Sequence, residues 1–273
     1  MIASSQGISS SQVIAPAPAV VELAAVILAK NEEDHISGCL DSLNWVDERV
    51  LFDDYSTDRT VEIAQARGAR VLKHALENFA AQRNAALAAV EAEWILFVDA
   101  DEQATPALAD EVRRVIRYEG AQARAGWWIP RHNYMIGHRM RGGGWYPDYQ
   151  LRLLRRGKVR YDPAHPVHEI VILDGEAGHL ENVLIHYNYD RLAEFRRKMG
   201  RYTGFEAGIL HERGVQVRPW TYVSMPIREF WRRFVALRGY QDHIYGLLFC
   251  GLMAWYTFVT YQRLRQLRLS PSQ

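Results

Sequence analysis

Three carboxylates, Asp99, Asp101 and Glu102, fall within four positions directly after Ile95-Leu96-Phe97-Val98, four large apolar residues in a row. Such a run has the hydrophobicity of a strand buried on both faces, so the acids stand at its mouth. Residues two apart in an extended chain share a face, and Asp99 and Asp101 can therefore both reach one hard divalent cation, directly or through water. A metal held there suits a diphosphate. The same residues also fit a strand ending in a solvated acidic turn, with Thr105-Pro106 opening the next helix, and the flanking chain has to separate the two readings.

The elements that must position these acids alternate in type. Leu23 to Ala29 is an apolar run, followed by polar Lys30-Asn31-Glu32-Glu33 and then Ile36, Cys39, Leu40 and Leu43 at helical spacing. Val50-Leu51-Phe52 is a short strand running into Asp53-Asp54-Tyr55-Ser56-Thr57-Asp58, whose polar residues can cap a helix carrying Val61, Ile63 and Ala64. Gly68 stops that helix, Ala69 to Leu72 gives a third strand, and an Ala-rich helix from Asn78 to Val90 leads to the fourth. Strands alternating with helices through short polar loops indicate a largely parallel sheet with helices on both faces. Ligands of such sheets sit at the carboxyl ends of the strands, where the loops after Phe52 and Val98 both lie. No Gly-x-Gly-x-x-Gly opens the first helix and no Walker lysine loop occurs, so phosphate handling falls to a metal.

At 273 residues the chain suffices for one large α/β domain with an appendage. Its net charge of +1 hides an asymmetry, since from Arg191 onward 14 Lys and Arg face 5 Asp and Glu, giving a basic tail on an acidic body. Cys39 and Cys250 lie far apart in apolar surroundings and imply a reducing compartment without disulfides. Residues 1–20, rich in Ser, Ala, Pro and Gln and without a basic n-region, read as a mobile leader and not as a secretory signal.

Taken in order, Ala29-Lys30-Asn31-Glu32-Glu33, Asp53-Asp54-Tyr55-Ser56-Thr57-Asp58-Arg59-Thr60, Gln82-Arg83-Asn84 and Asp99-Ala100-Asp101 resemble the signature of family-2 glycosyltransferases with the GT-A fold. Gly144 to Leu153 and Val167-His168-Glu169 resemble the subgroup that includes lipopolysaccharide-core β-1,4-glucosyltransferases. Tyr55 departs from the pattern, standing where the family usually has a small residue, often Gly. The resemblance implies a GT-A-type, Rossmann-like, mostly parallel sheet over residues 21–190, with a nucleotide-sugar half at 21–105 and an acceptor half at 106–190. It implies that Asp53 reads the uracil of a UDP-sugar, that Asn31 and Glu32 line the same pocket, and that Gln82 and Asn84 lie beside it. Asp99 would contact the ribose or a metal-bound water, Asp101 would hold Mg²⁺ or Mn²⁺, and His186, after Val183-Leu184-Ile185, would be a further metal ligand. The implied reaction is inverting transfer of a hexose, with UDP-glucose as donor, onto a glycan or lipid-linked acceptor. A catalytically inactive nucleotide-sugar-binding or scaffold protein is the alternative.

An inverting transfer needs a base for the acceptor hydroxyl, and Glu169 and Asp148 are the two candidates. Either also fits a salt bridge with Arg152 or Arg160. Gly142-Gly143-Gly144 reads as a hinge before Trp145, whose ring suits a sugar face. His165, His168, His179 and His186 have the spacing of no structural zinc site. From His243 to Gln262 no Asp, Glu, Lys or Arg occurs, and arginines flank the stretch on both sides. Residues 191–273 therefore read as a basic, apolar helical appendage that lies on an anionic membrane surface, packs in a homodimer or crosses a bilayer. The resulting expectation is a cytoplasmic enzyme, peripheral on the inner face of the membrane. Nucleic acid is disfavoured as a partner, because the arginines flank an apolar block instead of interleaving with a polar surface.

Overall fold

The computed structural model describes residues 21–75, 78–118, 124–162 and 171–269. The first half alternates strand and helix: β1 (Leu23–Ala29), α1 (Ile36–Asp41), β2 (Glu48–Asp53), α2 (Thr60–Ala66), β3 (Arg70–Lys73), α3 (Phe79–Ala89) and β4 (Trp94–Asp99). It continues through β5 (Glu102–Ala104), α4 (Pro106–Tyr118), β6 (Arg124–Met135), β7 (His138–Arg139), β8 (Asp148–Arg155), β9 (Val159–Tyr161), β10 (Val171–Leu173), β11 (Glu176–His179) and β12 (Leu184–Tyr189). Three long helices follow: α5 (Leu192–Glu212), α6 (Thr221–Trp231) and α7 (His243–Leu269).

Unbroken apolar runs make the centre of the sheet because helices cover both of its faces. Ile27, Leu51 and Leu96 pack with Leu40, Leu108 and Val112 on one side. Val26, Phe52 and Phe97 pack with Ala80 and Ala86 of α3 on the other. Local chemistry sets the helix ends. Asn78 accepts the Ala81 N–H at 2.8 Å to start α3, and Gly68, at φ +73°, ends the α2 turn in a conformation that a side chain would disfavour.

The strand order is β3-β2-β1-β4-β8-β6-β12-β5. From β3 to β4 every pairing is parallel. Beyond β4 the sheet is mixed: β8 is antiparallel to both β4 and β6, β12 is parallel to β6, and β5 is antiparallel to β12. The α/β class, the helices on both faces and the C-terminal helical appendage are as the sequence implies. The chain reverses its direction of growth across the sheet between β1 and β4, so the loops after these two strands diverge and leave a crevice at their carboxyl ends. Asn31 and Glu32 leave one strand there, and Asp99 and Asp101 the other.

The glycines at 142–144 are a docking seat, not the expected hinge. A Cβ on Gly142 would collide with the Arg238 carbonyl, and the Gly143 N–H donates to the Leu237 carbonyl at 2.7 Å. Fully buried Asp242 accepts the N–H groups of Arg141 at 2.8 Å and Gly142 at 2.9 Å. Trp145, expected to face a sugar, packs half-buried against Phe249 at 6.0 Å between ring centres, with the Arg233 guanidinium 5.1 Å over its ring.

Candidate active site

The loops after β1 and β2 are stitched together by short polar side chains. Asn31, in the left-handed region at φ +56°, accepts the Thr57 N–H on Oδ1 at 2.8 Å and donates its own N–H to Ser56 Oγ at 2.9 Å. Asp53, fully buried at the end of β2, accepts the Ser56 N–H at 3.2 Å on both oxygens. Tyr55 sits between them at φ +52° with its ring exposed. That backbone conformation favours Gly, which is the physical reason a small residue is expected there. Asp58 accepts the Thr60 N–H at 3.0 Å and the Thr60 hydroxyl at 2.6 Å, so it organises the start of α2.

At the mouth of β4 the acids separate into two groups. Arg152 of β8, almost fully buried, donates to Asp99 Oδ1 at 3.0 Å, to Asp99 Oδ2 and to Glu102 Oε1 at 3.0 Å. Burial alone would raise the Asp99 carboxyl, but Arg152, Arg83 and Arg131 hold it far below the usual range. Asp99, expected at a ribose or a metal, therefore has both oxygens committed to a guanidinium. Glu102, with no exposed surface, returns along the loop to accept the Asp99 N–H at 3.0 Å and the Arg131 Nη1–H at 2.9 Å.

Asp101 points the other way. Its Oδ2 lies 3.3 Å from His186 Nε2 of β12, brought alongside by the Tyr187 N–H donating to the Asp101 carbonyl at 2.9 Å. Behind the imidazole, Asn133 Oδ1 lies 2.6 Å from His186 Nδ1. The Asn133 amide nitrogen donates to the Trp145 carbonyl at 2.8 Å and to Asp148 Oδ2 at 3.0 Å, which fixes the amide orientation and makes Oδ1 the acceptor. Nδ1 must then carry the proton, and a neutral ring turns a lone pair on Nε2 towards a carboxylate oxygen. Two acceptors meeting in this way require a cation between or beside them: a proton or a metal ion. Among the described residues no cluster of three or more His, Cys, Asp and Glu is arranged to hold a metal. The Asp101–His186 pair fits one whose remaining ligands come from a substrate diphosphate and water.

The pair lines a cleft of about 410 Å³ together with Glu32, Arg83, Asp99, Arg131, Asn188 and Lys198. Burial, reinforced by the charges of Asp101, Asp58 and Asp99, pushes the Glu32 carboxyl from 4.5 up to about 7 against the opposing pull of His35. Burial also draws the Lys198 ammonium below its ordinary value. Asn188 Oδ1 is buried without a hydrogen-bond partner among the described residues.

Of the remaining expected residues, Asp148 is saturated. It accepts from Arg131 Nε at 3.0 Å, Arg131 Nη2 at 2.6 Å, Asn133 and Gln150. Burial raises its carboxyl, but these donors win and hold it below the ordinary range, so Asp148 is a poor proton acceptor. It anchors the Asn133–His186 support instead. Asn84 spends both ends of its amide on the Tyr161 backbone, each at 2.9 Å, and so holds β9 instead of presenting free donors to a nucleotide. Gln82 is buried on α3. Glu169 lies outside the described residues. Sequence reasoning overlooked Arg131, Asn133, Asn188 and Lys198, and it treated Arg152 as a surface partner. For Arg131, Asn133, Arg152 and Asn188 the only signal was polar residues spaced along strands whose faces a single sequence does not reveal, and Lys198 was one cation among several on a basic helix.

An acid-lined crevice at the switch point of an α/β sheet, with one Asp–His pair facing into it, is where ligands of such sheets bind. The chain belongs to glycosyl transferase family 2, whose model matches residues 24–175, and is therefore a transferase. It is 28% identical over 255 residues to the lipopolysaccharide core biosynthesis glycosyltransferase LpsC of Rhizobium meliloti, covering 89% of this chain and 92% of that protein. It is 36% identical over 95 residues to an uncharacterised glycosyltransferase of Rickettsia felis, covering 34% of each chain. Among solved structures it is similar to glucosyl-3-phosphoglycerate synthase from Mycobacterium tuberculosis in complex with Mn²⁺, UDP and glucosyl-3-phosphoglycerate. The TM-score there is 0.46 at 20% identity, covering 72% of this chain and 81% of that one.

Proposed function

We propose that the protein is an inverting, metal-dependent hexosyltransferase that moves a sugar from a UDP-sugar, with UDP-glucose as the leading donor, onto a glycan or lipid-linked acceptor of the cell envelope. The reading rests on the Asp101–His186 pair, whose facing acceptors need a cation at the crevice where a nucleotide diphosphate would lie. Mg²⁺ or Mn²⁺ held by Asp101 and His186 would supply positive charge to the departing diphosphate. Asn31, Glu32 and Asp53 are the residues assigned to the nucleoside, with Gln82 assigned beside the same pocket. Asn188 and Lys198 line the same cleft, where Lys198 adds positive charge. The base that takes the acceptor proton is assigned to Glu169, because Arg131, Asn133 and Gln150 hold the Asp148 carboxyl below the ordinary range. A lipopolysaccharide-core acceptor is supported by the likeness to LpsC along most of both chains, and such an enzyme would work in the cytoplasm at the inner face of the membrane.

The test is release of UDP or GDP from a panel of nucleotide sugars by the purified protein with Mn²⁺ or Mg²⁺. The reading expects turnover confined to UDP-hexoses and lost in EDTA. Turnover unchanged in EDTA would contradict the metal, and a preference for GDP-sugars would contradict the donor. Absence of any turnover, with UDP still bound, would favour the inactive binding protein.

A further inference from the structure

Helix α6 is amphipathic in an unusual sense: its apolar stripe faces outward. Trp220, Val223, Ile227 and Trp231 recur at spacings of three and four, which places them on one helical face, and each is more than 60% exposed. On α7, Ile244, Leu247, Leu248 and Trp255 form a second stripe by the same spacing rule, also exposed. Leu237 and Tyr240, in the turns between the helices, are exposed as well. Soluble surfaces rarely expose so many large apolar side chains without a partner. Charge names the partner. Between Arg218 and Leu269 there are eight arginines and only two acids, Glu229 and Asp242. Glu229 is occupied by Arg232 and Arg233, and Asp242 is buried under the glycine seat. The segment that bears the stripes thus keeps a net positive charge of six, and basic charge beside apolar stripes matches an anionic bilayer surface.

Length and composition alone would let α7 cross a bilayer, since the helical stretch Gly239–Leu269 contains an 18-residue window with a mean hydropathy of 1.4. Its attachments oppose this. Asp242 at its foot accepts two backbone N–H groups from the catalytic domain. Phe249 and Cys250 have no exposed surface, with Phe249 edge-on to Phe195 of α5 at 5.2 Å. Near the far end Arg263 Nη1 donates to the Gly200 carbonyl at 2.6 Å, and Leu264 is fully buried. Spanning would strip α7 from α5 along its whole length. α5 in turn carries Lys198 into the catalytic cleft.

We propose that α6 and the outer stripe of α7 form a monotopic anchor lying in the plane of an anionic lipid surface, without crossing it. The full chain is sedimented with phosphatidylcholine vesicles, with and without about 30% phosphatidylglycerol. Binding about tenfold stronger to the anionic vesicles is expected, falling about tenfold in the double variant Ile227→Gln, Trp231→Gln. Both residues are exposed, so the variant should keep its circular dichroism and UDP affinity. In a Leu267→Cys variant bound to vesicles from outside, an impermeant maleimide should label residue 267 fully, since that position is exposed off the stripe and native Cys39 and Cys250 are buried. Protection of that cysteine would show a span and overturn the proposal. So would the absence of vesicle binding, binding indifferent to the double variant, or a concentration-dependent dimer that the double variant dissolves.

Discussion

Glu32 offers a sharp test of the electrostatics in the cleft, because its substitution by Gln has an effect whose sign changes with neither packing nor volume. In the folded chain burial and three nearby carboxylates lift its carboxyl from 4.5 to about 7. A folded state that holds a proton more tightly than the unfolded one is favoured at low pH, so wild-type stability is greatest below about 4.5. It declines as pH rises through about 7, where the folded protein must finally ionise. At ~1.4 kcal/mol for each tenfold change in proton affinity, the full penalty above pH 7 would be about 3.4 kcal/mol. Glu32 is only partly buried, and solvent screening reduces this to about 1–2 kcal/mol. Glu32→Gln removes the penalty. Urea denaturation of both proteins without metal or nucleotide should give curves that nearly coincide at pH 5 and separate by about 1–2 kcal/mol at pH 8, with the variant more stable. An equal difference at the two pH values would mean that the substitution acts through packing, and the account of the cleft's charge would be refuted.

Two further substitutions probe the framework. Arg152→Met keeps most of the side-chain volume but leaves Asp99 and Glu102 without their shared cation. It should cost about 3–5 kcal/mol in urea denaturation, and a loss below about 1 kcal/mol would show that the buried network is not what holds the β4 mouth. Gly142→Ala places a methyl group against the Arg238 carbonyl. It should lower the melting temperature and expose the 232–242 segment to limited proteolysis, whereas an unchanged digestion pattern would refute close docking of the helices on the glycines.

Much of the nucleotide half is legible in the sequence because each of its parts answers to a local rule. β1 spans the run from Leu23 to Ala29, α3 begins at its Asn78 cap, and Gly68 breaks the chain where a left-handed residue is needed. The acids after Val98 stand at the carboxyl end of β4, as an uninterrupted apolar run ending in charge requires. The other half is opaque for an equally physical reason. β8, β6 and β12 pair across long separations and in both senses, and nothing local in Arg131, Asn133 or Arg152 announces that these polar side chains face inward. Asp148 consequently looked like a base with a surface arginine nearby, when Arg131 and Asn133 enclose it. Glu102 was visible as the third acid, but its backward reach to the Asp99 N–H depends on the turn at 100–101. Trp145 beside three glycines suggested a mobile aromatic platform, whereas the glycines are small so that the C-terminal helices can approach. The positive φ at Tyr55 gives the physical reason why a small residue is expected at that position.

The claim on which the rest depends is that Asp101 and His186 together hold a divalent cation that ties a nucleoside diphosphate to the crevice between β1 and β4. Calorimetric titration of UDP, with Mn²⁺ and then with EDTA, tests it directly in the wild-type protein and in Asp101→Asn. UDP should bind the wild type at least about tenfold more tightly with Mn²⁺, and the variant should show no dependence on the metal. Equal UDP affinity in Mn²⁺ and EDTA for the wild type, or an undiminished Mn²⁺ effect in Asp101→Asn, would contradict it.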